Sequence, residues 1–451
     1  MKSTLFLNVF VSVTLLLHSQ SIRMNKSRAT IIAIFLLLSS ILSAQTDFYQ
    51  QNALRYENKI YDENIHTIQV VSSIDPYALP VIPLYSHQNL TCSFDDLEGR
   101  LKTYYYTLIH CDARWNPSEL EPNEYLKGFD NEEIRDYTYS FNTIVPYTHY
   151  SFTFPNETIR PSVSGNFLLV VYLDSPKTPV FTRRVMVSEE AGLIKDAKAT
   201  RALAPEEMQN SQEVSFNLLG SRINSTNPDQ QITVSIMQNQ RWDNLHMNVK
   251  PRVMAGDVWP YEFLPDNVFE ACNEFRAIDL KSFKYYSERV ASIESNQNGY
   301  EIWLRTDKPK LFGNYISDTD LNGRMIIKTE DGRDDNTEGE YANVHFSLAI
   351  NQPLVGGNLY LMGEMTGFSI QPQYKMTYNY STMQYETTQK LKQGYYNYLY
   401  VWVADGDKKG SCYRVEGNYY DARNEYNIFI YYKPIGGRYD RLLDLYTLPS
   451  P

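Results

Sequence analysis

The sequence predicts an all-β protein assembled from tandem immunoglobulin-like β-sandwich domains. Three observations carry this reading. Tyrosine is in large excess, 37 residues against 5 tryptophans, and much of it sits where polar and apolar positions alternate. Those stretches are short and separated by Pro, Asn, Asp and Gly turns, which is the spacing of sandwich strands. Helical periodicity is scarce; the best helix candidate is "SEEAGLIKDAKATRALAPEEMQ" (188–209), and Pro205 limits it.

Along the chain, two apolar runs come first, at 5–17 and 31–42. The second has the form of a secretory signal, with Lys26 and Arg28 before a short apolar core and the small residues of "SILSAQ" after it. Cleavage is expected between Ala44 and Gln45, so that 1–44 is a leader, with Met24 as a candidate true start. Each run is shorter than the roughly 20 residues that a membrane span needs. No cysteine follows the apolar core to carry a lipid. A soluble, exported, periplasmic product is expected.

The remainder has length for two or three domains with real cores. The first domain is expected at 45–190, with strands in "LKTYYYTLIHC", "YTYSFNTIVPYTHYSFTF", "GNFLLVVYLD" and "SPKTPVFTRRVMVSEE". A charged connector follows at 191–210. A second sandwich is expected at 211–338, from "EVSFNLLG" to "GRMIIKTEDG". The third covers 339–433, from "YANVHFSLAI" to "NEYNIFIYYK", and leaves 434–451 as a tail.

The formal charge of −11 is spread along the chain without an arginine cluster, which argues against a nucleic-acid partner. Four cysteines, Cys92, Cys111, Cys272 and Cys412, lack the C-x-x-C spacing of a zinc or redox site. A Cys92–Cys111 bridge and two buried thiols both stay open.

Three stretches are candidates for chemistry or recognition. In "HCDARWNPSEL" (110–120) a histidine adjoins a cysteine, but alternation along a strand points the two to opposite faces. They are not a catalytic dyad, which needs contact within about 3.2 Å. Asp112 and Asn116 are suited to accepting local backbone N–H groups in a turn. Arg114 and Trp115 are residue types favoured at binding hot spots, and Tyr125 and Phe129 join them as candidate partner contacts. The run from Asp318 to Gly323 matches the start of a calcium loop, yet position 12 falls on Thr329 rather than a bidentate Glu. Asn322-Gly323 is therefore expected as a turn into a strand, with no metal bound. In "QGYYNYLYVWVADG" (393–406), Tyr396, Tyr398, Tyr400 and Trp402 share one face, with Tyr395, Leu399 and Val401 on the other. Together with "LYLMGEMTGF" upstream, this is similar to the carbohydrate-binding sandwiches attached to glucan-active enzymes. A glycan could stack on the four aromatics, or they could pack on a facing sheet.

The block "YYYTLIHCDARWNPSELEPNEYLKGFDNEEIRDYTYSFNTIVPYTHYSFTFPNE" (104–157) and "SGNFLLVVYLD" (164–174) resemble the plug-protein family of the type 9 secretion system of Bacteroidota. "TRRVMVSE" (182–189), "DLNGRMIIKT" (320–329) and "VEGNYYDARNEYNIFIYYKP" (415–434) extend the resemblance. It implies a periplasmic protein that associates with the very large outer-membrane translocon barrel and closes its periplasmic mouth when no substrate is engaged. It implies no enzymatic turnover, no cofactor, no small-molecule substrate, and a monomer when free. A periplasmic or surface glycan-binding module is the alternative.

Overall fold

The structure is a computed structural model, and it describes residues 53–449 apart from position 312. The expected signal segment and cleavage point lie outside the described residues. Described residues from Leu54 onward form one contact unit. Among the described residues the architecture is all-β: seven sheets, mostly antiparallel, with a few helical turns between strands. No helix among them is long and apolar enough to cross a membrane.

Six of the seven sheets form three pairs, each pair sharing a core. The first pair holds the strands Gly165–Tyr172, Pro179–Ser188 and Tyr104–Cys111 on one side. On the other are Ile65–Ser72, Leu90–Asp96, Thr148–Phe154 and Asp136–Tyr139. Phe94, Tyr104, Tyr150 and Phe181 interdigitate between them. Gly165–Tyr172 is buried at every position, as a continuous apolar run should be when both sheet faces are covered. Its second face meets Met237, Phe429, Tyr431 and Leu442 of the next unit.

Strand pairing departs from the expected linear boundaries in three places. The stretch 188–209 is not helical. It contributes the strand Ile194–Arg201, paired with Ser211–Leu218. A bulge at Asp196 shifts the register, Ala197 and Ala199 then turn inward, and the pairing outweighs weak helical propensity. The segment read as a tail carries the strand Arg441–Pro449, hydrogen-bonded to Glu425–Tyr432. Glu425–Tyr432 in turn pairs with Ile232–Gln238, so the end of the chain completes the second unit and not the third. Conversely, Arg276–Asp279, Val290–Asn296 and Gly299–Leu304 join the sheets of the third unit.

Candidate functional site and the joint around it

The strand Tyr104–Cys111 delivers His110 and Cys111 to opposite faces, both buried. The His110 ring packs edge-on against Phe167 at 5.0 Å and Tyr439 at 5.4 Å, and its Nε2 lies 3.2 Å from Ser164 O. Burial lowers its pKa to about 4, so the imidazole is neutral. A side chain on Gly165, whose φ is +139°, would come within 2.5 Å of that ring. Cys111 lies among Leu168, Val170 and Phe429, and burial pushes its thiol up to about 12. Among the described residues, the hydrogen-bond partners of both side chains are backbone carbonyls, Ser164 O and Ile109 O.

The turn that follows is built by Asp112. Its carboxylate accepts the Arg114 and Asn116 backbone N–H groups at 2.8 Å each, and Asn116 Nδ2 at 3.0 Å. Trp115 takes a left-handed φ of +65° and turns inward. It meets Trp242 of the second unit edge-on at 5.2 Å, and the Arg184 guanidinium lies 4.6 Å from both rings. Arg184 also donates to Tyr56 O from Nε and Nη2. Ala113 N donates to Asp440 Oδ2, and Tyr431 donates to Asn166, which in turn donates to Asp112 O. The "HCDARWN" corner is a joint between the first and second units.

A second joint ties the first unit to the third. Asp95 is fully buried and accepts Lys392 Nζ at 2.8 Å and Tyr341 OH at 2.7 Å, while His149 Nδ1 lies 2.6 Å from its other oxygen. Burial alone would raise the Asp95 carboxyl; Lys392 and His149 more than reverse this and hold it below its ordinary value. Beside it, Glu340 accepts the Ile144 and Val145 backbone N–H groups of the first unit.

These joints decide which expected contacts are available. Trp115 and Tyr125 are 4% and 5% exposed, so both are structural and neither reaches a partner. Their amphipathic rings fit a surface anchor or a core equally well by sequence; Trp115 is covered by Trp242 of the second unit, and Tyr125 by His110 and Phe167 of its own. Arg114 is exposed, and Phe129 is 70% exposed at the lip of a groove with Glu121, Pro122, Asn123 and Leu126. The groove is held open by local geometry. The Pro122–Tyr125 turn is closed by Glu124 accepting Glu121 N, and Arg438 pins Glu124 at 2.6 Å. At Gly128, φ +94°, a Cβ would collide with Thr158 O. Exposed Tyr85, with the Lys127 ammonium 5.8 Å from its ring centre, was not marked by sequence, where nothing distinguishes it from other tyrosines.

The proposed glycan face is corrected outright. Tyr396, Tyr398, Tyr400 and Trp402 do share a face, and that face is core. The hydroxyls of Tyr398 and Tyr400 donate to buried Asp307 at 2.8 and 2.7 Å. Asp307 also accepts from Arg276, which forks onto Glu416. No sugar reaches these rings.

In the 318–323 turn, Asn322 and Gly323 both adopt positive φ and lead into the strand Met325–Ile327. The Asp320 oxygens accept the Asn322 and Phe275 backbone N–H groups. Among the described residues no group of His, Cys, Asp or Glu side chains is arranged to hold a metal. Cys92 and Cys111 are free and buried; the disulfide is Cys272–Cys412, across 140 residues of sequence.

Residues 65–189 match the family model of the type 9 secretion system plug protein 1st domain. A crystal structure of a hypothetical protein from Parabacteroides merdae is 34% identical, with a TM-score of 0.85, over 88% of this chain and 100% of that one. Manganese lipoxygenase of Gaeumannomyces graminis with part of zonadhesin of Komagataella pastoris aligns at 7% identity over 86% of this chain and 93% of that one, TM-score 0.14. Dimeric latent PorU from Porphyromonas gingivalis aligns at 10% identity over 87% and 34%, also with a TM-score of 0.14. Neither of these two carries an argument. No curated protein matches the chain.

Proposed function

Because this chain belongs to the type 9 secretion system plug protein family, we propose that it binds the periplasmic mouth of the giant outer-membrane translocon barrel and closes it when no substrate is engaged. The family match carries the secretion-associated, periplasmic role, and the occluding action is the finer step. It acts without turnover or cofactor, as a monomer when free. We read the three sheet pairs as tandem immunoglobulin-like sandwiches: 54–190, then 191–275 completed by 425–449, then 276–424.

Two observations support occlusion. A cap over a wide pore has to resist deformation, and here buried joints at Trp115–Trp242 and Asp95–Lys392 tie the units together. A releasable contact is smaller and more polar than an obligate one. The Phe129 groove, with an apolar lip among Glu121, Asn123 and Asp130, has that mixed character.

Deleting the gene should leave the outer membrane permeable to large antibiotics when the translocon is present and not when it is also deleted. Equal permeability in both strains, or none in the single deletion, refutes occlusion. Arg114→Glu and Phe129→Asp should weaken co-purification with a tagged translocon by about thirtyfold, the loss expected at a hot spot, with unfolding unchanged.

A further inference from the structure

A cleft of about 330 Å³ lies where the first and third units meet, away from the Phe129 groove. Its walls include Ile65, Ile68, Met325, Tyr374 and Leu391. That volume is at the lower end of ligand pockets, and its walls mix these apolar side chains with a similar number of polar and charged ones.

Two strand edges border the cleft. Ile65–Ser72 is the edge of its sheet and pairs only with Leu90–Asp96. Gln384–Lys392 pairs with Thr377–Asn379 only through Glu386, which leaves the same edge unpaired at 387–391. Free strand edges offer backbone N–H and C=O groups to an extended chain.

Six charged side chains line the cleft, Asp62, Glu63, Arg183, Glu364, Lys390 and Lys392, and among the described residues Arg183 and Glu364 form no ion pair with each other. Arg183 makes one hydrogen bond among the described residues, from Nη1 to Thr182 O at 2.9 Å, and forms no ion pair there. Its guanidinium lies 5.8 Å from the Phe181 ring centre, whereas that of Arg184 lies 4.6 Å from two tryptophan rings and bonds Tyr56 O. A guanidinium has five donors in a fork, so most of those of Arg183 are left over. Arg183 lines both this cleft and a smaller neighbouring one beside Arg184 and Phe368, and the surrounding protein lowers its pKa. Glu364 uses Oε2 to accept Met325 N at 2.8 Å, and its other oxygen accepts nothing among the described residues. A guanidinium with unused donors and no hydrogen-bonded carboxylate offers a fork to an incoming carboxylate.

We propose that this cleft binds a short extended peptide by its terminal carboxylate, which the Arg183 fork receives while Glu364 and the free strand edges take peptide N–H and C=O groups. A carboxylate on a plain acyl chain would satisfy Arg183 but leave Glu364 and the strand edges without donors and acceptors. The observations therefore favour peptide over fatty acid.

The test is calorimetric titration of the purified protein with three probes: a library of apolar tripeptides with free carboxyl ends, the same library amidated, and laurate. Free-acid peptides should bind, and amidation should weaken them about tenfold or more, because it removes a charge-assisted fork. Arg183→Gln should abolish that difference. Should Arg183→Gln fail to fold, Arg183→Lys, which keeps the charge and loses the fork, should shrink the acid–amide difference in its place. Equal binding of acid and amide, no peptide binding, or laurate binding more tightly than every peptide overturns the proposal.

Discussion

Replacing Lys392 by Met tests whether the buried joint between the first and third units contributes to stability. Met keeps most of the aliphatic stem and removes the ammonium. What is lost is the bond to Asp95 Oδ2 at 2.8 Å, the bond to Asn336 O at 2.7 Å, and the ammonium placed 4.3 Å from the Tyr147 ring centre. Removing one partner of a buried pair typically costs about 3–5 kcal/mol, because the other charge stays behind unpaired. Tyr341 and His149 still reach Asp95, so a loss of about 3 kcal/mol is expected in urea unfolding followed by tryptophan fluorescence. The sign with pH follows from Asp95. In the parent protein its carboxyl is held below the ordinary value, so its contribution is complete above that value and is lost only as pH falls through the lower folded pKa. Without the ammonium, burial dominates and the folded pKa rises, so the variant gains relative stability on acidification. The deficit should therefore be largest near about pH 7 and shrink towards about pH 4. A double-mutant cycle with Asp95→Asn should give a coupling of about 2 kcal/mol. A deficit under about 1 kcal/mol, the worth of an exposed pair, or one independent of pH, would refute the reasoning.

Other expectations are direct. Trp115→Ala should cost about 3–5 kcal/mol, as for a large buried ring, while Arg114→Ala stays within about 0.5 kcal/mol; the reverse order in denaturant melts would invert the assignment of core and surface at the corner. Cys272→Ser with Cys412→Ser should cost about 2–4 kcal/mol, and intact protein should show one disulfide by mass spectrometry, with Cys92 and Cys111 unreactive to a thiol reagent until unfolded. Tyr398→Phe should cost about 1–3 kcal/mol by removing one donor to buried Asp307, and glycan arrays should not distinguish it from the parent protein. Calorimetric titration with Ca²⁺ should be flat, because the Asp320 oxygens already accept backbone N–H groups.

Alternation was legible in the sequence because it is local: consecutive side chains on an extended backbone point to opposite faces whatever lies beyond them. It separated His110 from Cys111, and placed Tyr396, Tyr398, Tyr400 and Trp402 on one face. The Asp112–Asn116 turn was legible for the same reason, since donors and acceptor lie within four residues. Alternation does not say what covers a face. Trp115 became core because the second unit packs on that side of the first, Tyr125 because it folds into the first unit's own core, and Phe129 stayed outside. Nor does it say which edge meets which: Glu425–Tyr432 reads as a third-domain strand until it is seen hydrogen-bonded to Ile232–Gln238. Asp95 with Lys392, and Cys272 with Cys412, are joined across 297 and 140 residues. Such pairings depend on long-range closure of the chain, which no window of sequence contains, and only the tertiary structure decided them.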